Sequence, residues 1–346
     1  MRAVVFEDVG RVSAADVPEP SVSVPDDAIV RVTASAICGS DLHFFHGKAP
    51  LEPGDVMGHE AVGVVETVGP GVEAFAPGQR VVASFVIACG TCWFCRAGQT
   101  SLCEELAMPG TGLFGGGLPG AQAEQVRIPH ADVNLLAVPD DVEDDRALFL
   151  GDVLTTALYG AATAGIREGD TVAVIGAGPV GFLAAQAARG LGASEVVVLD
   201  LETDRLALAE GIGMTPIDTR TQHAQMAVAE LTGGRGADVV IEAVGTPSAF
   251  ESALDVVRRG GTVSVVGMYT SETVEAQLGV WWARALTVRF AGICPVHSWW
   301  ERALDELRAG RIDPRPLISH RLPLADAPRG YELFDTREAT KVLLLP

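Results

Sequence analysis

At 346 residues with 48% hydrophobic side chains, the chain has material for two buried cores rather than one. A formal charge of −20 and a pI near 4.7 argue against a nucleic-acid partner, because phosphate binding needs clustered cations. Only Lys48 and Lys341 are lysines, the remaining cations being arginines, and no function follows from that habit.

The opening MRAVVFEDVG is too short and too acidic for a signal peptide. The first 150 residues alternate short apolar runs with Gly and Pro. AIVRVTA (28–34), AVGVVETVG (61–69) and QRVVASFV (79–86) read as strands of a barrel-like β region with long loops. Three chemically capable stretches interrupt it. Cys38 lies in AICGSDLHFFHG (36–47), His59 and Glu60 lie in MGHEAVG (57–63), and Asp152 lies in LGDVLTTALYG (150–160). Cys, His and Asp can each bind zinc, and three protein ligands with an open fourth position make a catalytic site. Taken singly, a cysteine such as Cys38 is more often core packing and a histidine such as His59 more often a hydrogen-bonded structural residue.

Between them, CGTCWFCRAGQTSLC places Cys89, Cys92, Cys95 and Cys103 at C-x2-C-x2-C-x7-C spacing. Four thiolates this close in a turn-rich loop fit a closed, structural zinc site. The alternatives are four unrelated cysteines or two disulfides. Five of the six cysteines fall between residues 38 and 103, which suits metal binding better than a disulfide framework.

From Asp170 the pattern changes. TVAVIG (171–176), EVVVLD (195–200), ADVVIEAVG (237–245) and GTVSVVGM (261–268) are apolar strands separated by helical segments, the signature of a doubly wound parallel sheet. The uncharged run from Thr171 to Ala188 is not a membrane span, since Gly176, Gly178, Pro179 and Gly181 break it into strand, turn and helix. With neither signal nor span, the expected compartment is the cytoplasm. Gly176-Ala177-Gly178-Pro179-Val180-Gly181 matches G-x-G-x-x-G between a strand and a helix, the context in which backbone amides and a helix N-terminus cradle a pyrophosphate. Asp200 ends the next strand, 19 residues beyond Gly181, where a carboxylate accepts from an adenosine ribose. That favours NAD over NADP, whose 2′-phosphate would meet a like charge. Asp200 as a helix cap is the competing reading. Arg205 either flanks the ribose or is a solvated helix residue.

CGSDLH, GHE with a following glycine, the four-cysteine loop, GAGPVG and the strand-ending Asp200 occur in an order that resembles a zinc-dependent medium-chain dehydrogenase/reductase, the alcohol and polyol dehydrogenase family. The resemblance spans essentially the whole chain, and the pattern is most similar to bacterial secondary-alcohol and formaldehyde dehydrogenases. It implies a discontinuous GroES-like β-barrel catalytic domain over 1–152 and 291–346, and a Rossmann NAD-binding domain over 153–290. It also implies two zinc ions per chain, the catalytic one held by Cys38, His59 and Asp152 with Glu60 beside it. Asp152 stands where the liver-type enzymes carry a second cysteine, which weakens transfer of their substrate preference. Tyr159 replaces a usual histidine.

The implied reaction moves a hydride between an alcohol, or its aldehyde or ketone, and NAD, with zinc stabilising the alkoxide. Zinc lowers the pKa of bound water from about 15.7 to about 7. A comparable shift on an alcohol, roughly eight units at about 1.36 kcal/mol each, is worth about 11 kcal/mol. By family position Ser40 and His43 form a proton relay, and Asp41 orients His59 as carboxylates commonly do for ligating imidazoles. A turn residue, a surface histidine and a helix cap are the respective alternatives. Family position further places Gly267 at the cofactor, and Phe85 and Met268 beside the substrate. The expected partner is a small-molecule alcohol or carbonyl, with no membrane and no nucleic acid, in a homotetramer rather than a dimer. A polyol or amino-alcohol dehydrogenase is the enzymatic alternative. A zinc protein without catalysis, or a zinc finger, is the alternative from another class.

Overall fold

The structure is a computed structural model that describes residues 1–270 and 273–346. The chain divides into two compact units.

The first unit comprises residues 1–155, 295–308 and 317–346. Strands β1 (Arg2–Asp8) and β2 (Arg11–Asp16) form an antiparallel pair. β3 (Ala28–Ile37), β4 (Ala61–Val68), β5 (Arg80–Ala83), β6 (Gln125–Ile128) and β7 (Leu135–Ala137) build most of a second sheet. With β14 (Ile318–Pro323) and β15 (Lys341–Leu345), its order is β14-β15-β3-β4-β5-β7, and β6 pairs with β3. The Val- and Ile-rich runs expected to be strands are strands, because β-branched side chains pack well on a pleated, buried face. Two larger apolar clusters lie in the unit. One gathers Val30, Val65, Val81 and Ile128, and the other gathers Ile37, Phe44, Met57, Tyr331 and Phe334.

The run expected to extend to residue 86 stops as a strand at Ala83. Beyond it the backbone turns to other partners: Ser84 N–H donates to the Asn134 carbonyl at 3.0 Å and Phe85 N–H to the Gly151 carbonyl at 3.1 Å.

The second unit comprises residues 156–294 and 309–316. Its six-stranded sheet runs β10 (Thr215–Asp218), β9 (Glu195–Asp200), β8 (Thr171–Ile175), β11 (Ala237–Glu242), β12 (Val257–Val265) and β13 (Thr287–Phe290), all parallel. Every residue of β8 is buried, as a central strand of a parallel sheet covered on both faces must be. In chain order the arrangement is 3-2-1-4-5-6, and strand order reverses between β8 and β11. Open α/β sheets bind ligands at that reversal, outside the carboxyl ends of the strands. The expected strand, turn and helix appear as β8, Gly176–Gly178 and the helix Pro179–Gly190. Among the described residues no helix is long and apolar enough to cross a membrane.

Candidate active site

In the first unit, β3 ends at Ile37 and Cys38 follows, while His59 and Glu60 immediately precede β4. The two strands are antiparallel neighbours with Ser35 opposite Ala61, so the pairing itself brings the thiol and the imidazole together. Asp152 arrives separately, between the 3-10 turn Leu148–Gly151 and the helix Val153–Ala162. A side chain on Gly151 would overlap the Ala83 carbonyl, so the chain can approach the end of β5 this closely only with glycine there.

Ligand-capable atoms of Cys38, His59, Glu60 and Asp152 all lie within 4.8 Å of one another. Cys38 Sγ is 3.8 Å from Asp152 Oδ2, and His59 Nε2 is 3.4 Å from the same oxygen. Ser40 Oγ stands 3.3 Å from His59 Nε2. The other ring nitrogen, Nδ1, faces Asp41 Oδ1 at 3.2 Å. Asp41 is fully buried, and its Oδ2 accepts from the Cys38 backbone N–H at 2.9 Å. Nε2 thus points into the cluster and Nδ1 points away from it. Burial opposes charge on His59, but Asp41 and Asp152 outweigh it and hold the ring well above its ordinary pKa. Burial and the nearby Glu60 carboxylate push the Cys38 thiol up.

Among the described residues, the cationic chain paired with this group of acids, thiol and imidazole is Lys341. Asp41 Oδ1, His59 Nδ1 and Glu60 Oε2 are buried without a hydrogen-bond partner. A soft thiolate, an imidazole and a carboxylate form a donor set suited to zinc, so the residues fit that ion. Glu60 Oε1 accepts from Lys341 Nζ at 2.6 Å, with both side chains at most 1% exposed. Lys341 heads β15, where Val342 pairs with Ile37, so its side chain begins level with Cys38. Burial works against the ammonium, and Glu60 holds its pKa above the ordinary value nonetheless. His43 lies half-buried in the helix Asp41–Phe45.

The four-cysteine loop forms a second cluster within the same 4.8 Å limit. Backbone N–H groups aim at its sulfurs: Cys92 N–H at Cys89 Sγ (3.3 Å), Cys89 N–H at Cys103 Sγ (3.2 Å) and Glu105 N–H at Cys103 Sγ (3.3 Å). Burial resists ionisation of Cys89, but the Thr91 hydroxyl and the backbone N–H groups of Thr91 and Cys92 bring it down to about 6. Burial and the adjoining thiols push Cys95 up to about 12. Four sulfurs that repel one another's ionisation yet are fed by amide donors fit a cation at their centre. None of the six cysteines is in a disulfide.

In the second unit, Gly176 has φ +94°, and a Cβ there would stand 2.6 Å from Val244 Cγ2. A Cβ on Gly181 would overlap the Gly176 carbonyl oxygen, so this turn tightens only with glycine at both positions. Gly178 caps the helix Pro179–Gly190, with Pro179 at its first position and Val180 next. Asp200 Oδ2 accepts from Ala177 N–H at 2.5 Å, and its Oδ1 accepts from Leu201 N–H and Glu202 N–H. The carboxylate therefore ties the glycine turn to the end of β9. Arg205 Nη1 is 3.7 Å from where a Cβ on Gly178 would be. Gly267 packs against Gly245 and its N–H donates to the Glu242 carbonyl at 3.0 Å. A cradle without side chains, a free helix N-terminus and a strand-end carboxylate fit a dinucleotide.

Phe85 lies 6.1 Å from the His59 ring, centroid to centroid, and Met268 is half-buried in the second unit. Sequence reasoning missed Lys341, Gln122 and Tyr331. The first had a signal, a lone lysine heading the apolar run KVLLL.

A family model described as the alcohol dehydrogenase GroES-like domain matches residues 24–140, and one described as zinc-binding dehydrogenase matches residues 179–309. The uncharacterized zinc-type alcohol dehydrogenase-like protein AdhB of Bacillus subtilis is 36% identical, covering 100% of each chain. The solved alcohol dehydrogenase TADH from Thermus sp. ATN1 is 46% identical with a TM-score of 0.95, covering 100% of this chain and 99% of that one. A putative zinc-binding dehydrogenase from Sinorhizobium meliloti 1021, solved with NADP bound, is 33% identical with a TM-score of 0.87, covering 100% and 99%. The chain belongs to the zinc-dependent alcohol dehydrogenases of the medium-chain dehydrogenase/reductase family.

Proposed function

We propose that the chain interconverts an alcohol and its aldehyde or ketone at a zinc ion held by Cys38, His59 and Asp152, with NAD as the hydride carrier. The observation that carries this reading is the convergence of three separated stretches on one cluster, with His59 Nε2 turned inward. When bound, zinc supplies a Lewis acid for the substrate oxygen, and the nicotinamide accepts or returns the hydride.

The remaining work falls to side chains. Asp41 Oδ1, 3.2 Å from His59 Nδ1, favours the ring proton on that nitrogen through its charge, which leaves Nε2 as the donor atom. Ser40 holds a hydroxyl beside that nitrogen, and can accept a substrate proton while giving up its own. His43, three residues onward, passes the proton outward. Glu60 stays paired to Lys341, beside the ligands rather than among them.

Cys89, Cys92, Cys95 and Cys103 hold a second, structural zinc. Gly176, Gly178, Pro179, Val180, Gly181 and Gly267 line the dinucleotide, and Asp200, flanked by Arg205, selects NAD over NADP by meeting a ribose hydroxyl with a carboxylate. Six cysteines without a disulfide suit a reducing cytoplasm. A homotetramer is expected, and the unpaired edge of β13 with exposed Phe290 and Trp282 offers surface for assembly. Purified enzyme tested on a panel of primary, secondary and polyhydric alcohols with each cofactor decides the matter. A higher kcat/KM with NADP than with NAD would remove the role given to Asp200.

A further inference from the structure

Gln122 is a fully buried amide between two buried alanines, Ala121 and Ala123. A glutamine in such a place must satisfy every polar atom it carries. It does so completely. Nε2 donates to the Ala36 carbonyl at 3.0 Å and to Asp41 Oδ2 at 3.1 Å, while Oε1 accepts from Tyr331 OH at 3.0 Å. The Ala36 carbonyl can only accept, so the amide can sit only one way round.

Tyr331 lies on the helix Ala327–Asp335, is 0% exposed, and packs in the cluster of Phe44, Phe45 and Phe334. A phenylalanine would pack there as well; the hydroxyl finds its use in the amide. Gly58, beside His59, has φ +88°, and a Cβ on it would lie 2.7 Å from Gln122 Cδ. The glutamine therefore passes directly beneath the turn that delivers His59.

The connected path is Tyr331 OH, Gln122, Asp41, His59. We propose that Gln122, anchored by Tyr331, is a positioning residue that locks the Asp41 carboxylate so that it presents one oxygen to His59 Nδ1 and so fixes the imidazole for metal binding. This rests on the reading of Cys38, His59 and Asp152 as zinc ligands. Asp41 Oδ2 takes the Gln122 amide and the Cys38 N–H together, which leaves Oδ1 for the ring. Without the amide the carboxylate loses one of two restraints, and the ring loses its fixed partner.

The test follows zinc release from the holoenzyme into a chelator, with the zinc of the cysteine loop as internal reference. Residues that support metal ligands typically change affinity by about 10–100-fold when replaced. Asp41→Asn should speed release of one zinc within that range, and Gln122→Met by about tenfold, with kcat lowered and the KM for the cofactor unchanged. The double variant Gln122→Met/Asp41→Asn should release zinc no faster than Asp41→Asn, since both act through one carboxylate. Should Gln122→Met fail to fold, Tyr331→Phe removes only the hydroxyl and should speed release in the same non-additive way. Fast release in Asp41→Asn with wild-type release in Gln122→Met or Tyr331→Phe, or additive effects in the double variant, overturns the proposal alone. Unchanged release in Asp41→Asn as well, or equal release from both zinc sites, overturns the reading of the site beneath it.

Discussion

Replacing Lys341 by methionine removes the cation from a pair that is at most 1% exposed on either side, at 2.6 Å. Methionine keeps the apolar stem that lies along Phe149, where the ammonium sits 5.7 Å from the ring centre. What is lost is charge. Glu60 already has one buried oxygen without a hydrogen-bond partner, and Lys341→Met strips the other. Breaking a buried pair from one side costs about 3–5 kcal/mol, because the surviving charge stays desolvated. The cation–ring contact adds about 1 kcal/mol. Lys341→Met should therefore lower stability by about 5 kcal/mol, read from urea unfolding of zinc-loaded protein followed by tryptophan fluorescence. The companion Lys341→Met/Glu60→Gln, which removes both charges, should recover more than half of that loss. A single-variant loss below about 1 kcal/mol would refute the reasoning, as would a double variant no more stable than the single, since surface-like pairs are worth that little.

Ser40→Ala should cut kcat by about 10²–10⁴-fold with zinc content unchanged, the range for a positioned proton carrier; near-normal turnover removes Ser40 from that role. Asp200→Ala deletes a carboxylate that anchors the glycine turn and, in the proposed role, meets the ribose; kcat/KM with NAD should fall tenfold or more, at about 1.5–3 kcal/mol for such charged hydrogen bonds, while NADP loses less. His297 Nε2 meets Asn134 Oδ1 at 2.9 Å and its Nδ1 meets Thr100 Oγ1 at 2.8 Å, an arrangement satisfied by the neutral ring. Burial brings its pKa from 6.5 down to about 4. The unfolded chain then binds the proton first, so the stability held above pH 6.5 drains as pH falls toward 4, by about 3 kcal/mol at most. His297→Gln should flatten that acid limb in denaturation midpoints measured from pH 7 to 4, and an unaltered slope would contradict the assignment.

Much of this was legible because local chemistry announces itself. The glycine turn is sterically forced, and apolar runs such as TVAVI can only be buried strands. Cysteine spacing reads directly as a convergent loop. What stayed hidden depends on partners far off in the chain. Lys341 meets Glu60 across 281 residues, and Tyr331 meets Gln122 across 209, so neither pairing leaves a local pattern. The short strands β10 and β13 carry too few apolar positions to stand out, and β13 is mostly exposed. Residues 309–316 belong to the second unit although the helix before them and the strand after them belong to the first, a crossing that no composition shift marks.

The most direct measurement is the zinc count per chain by native mass spectrometry, wild type beside Cys38→Ser. Two ions falling to one, with the fold retained, is the predicted result. One ion in the wild type, or two still bound after the substitution, would contradict a metal site built on Cys38.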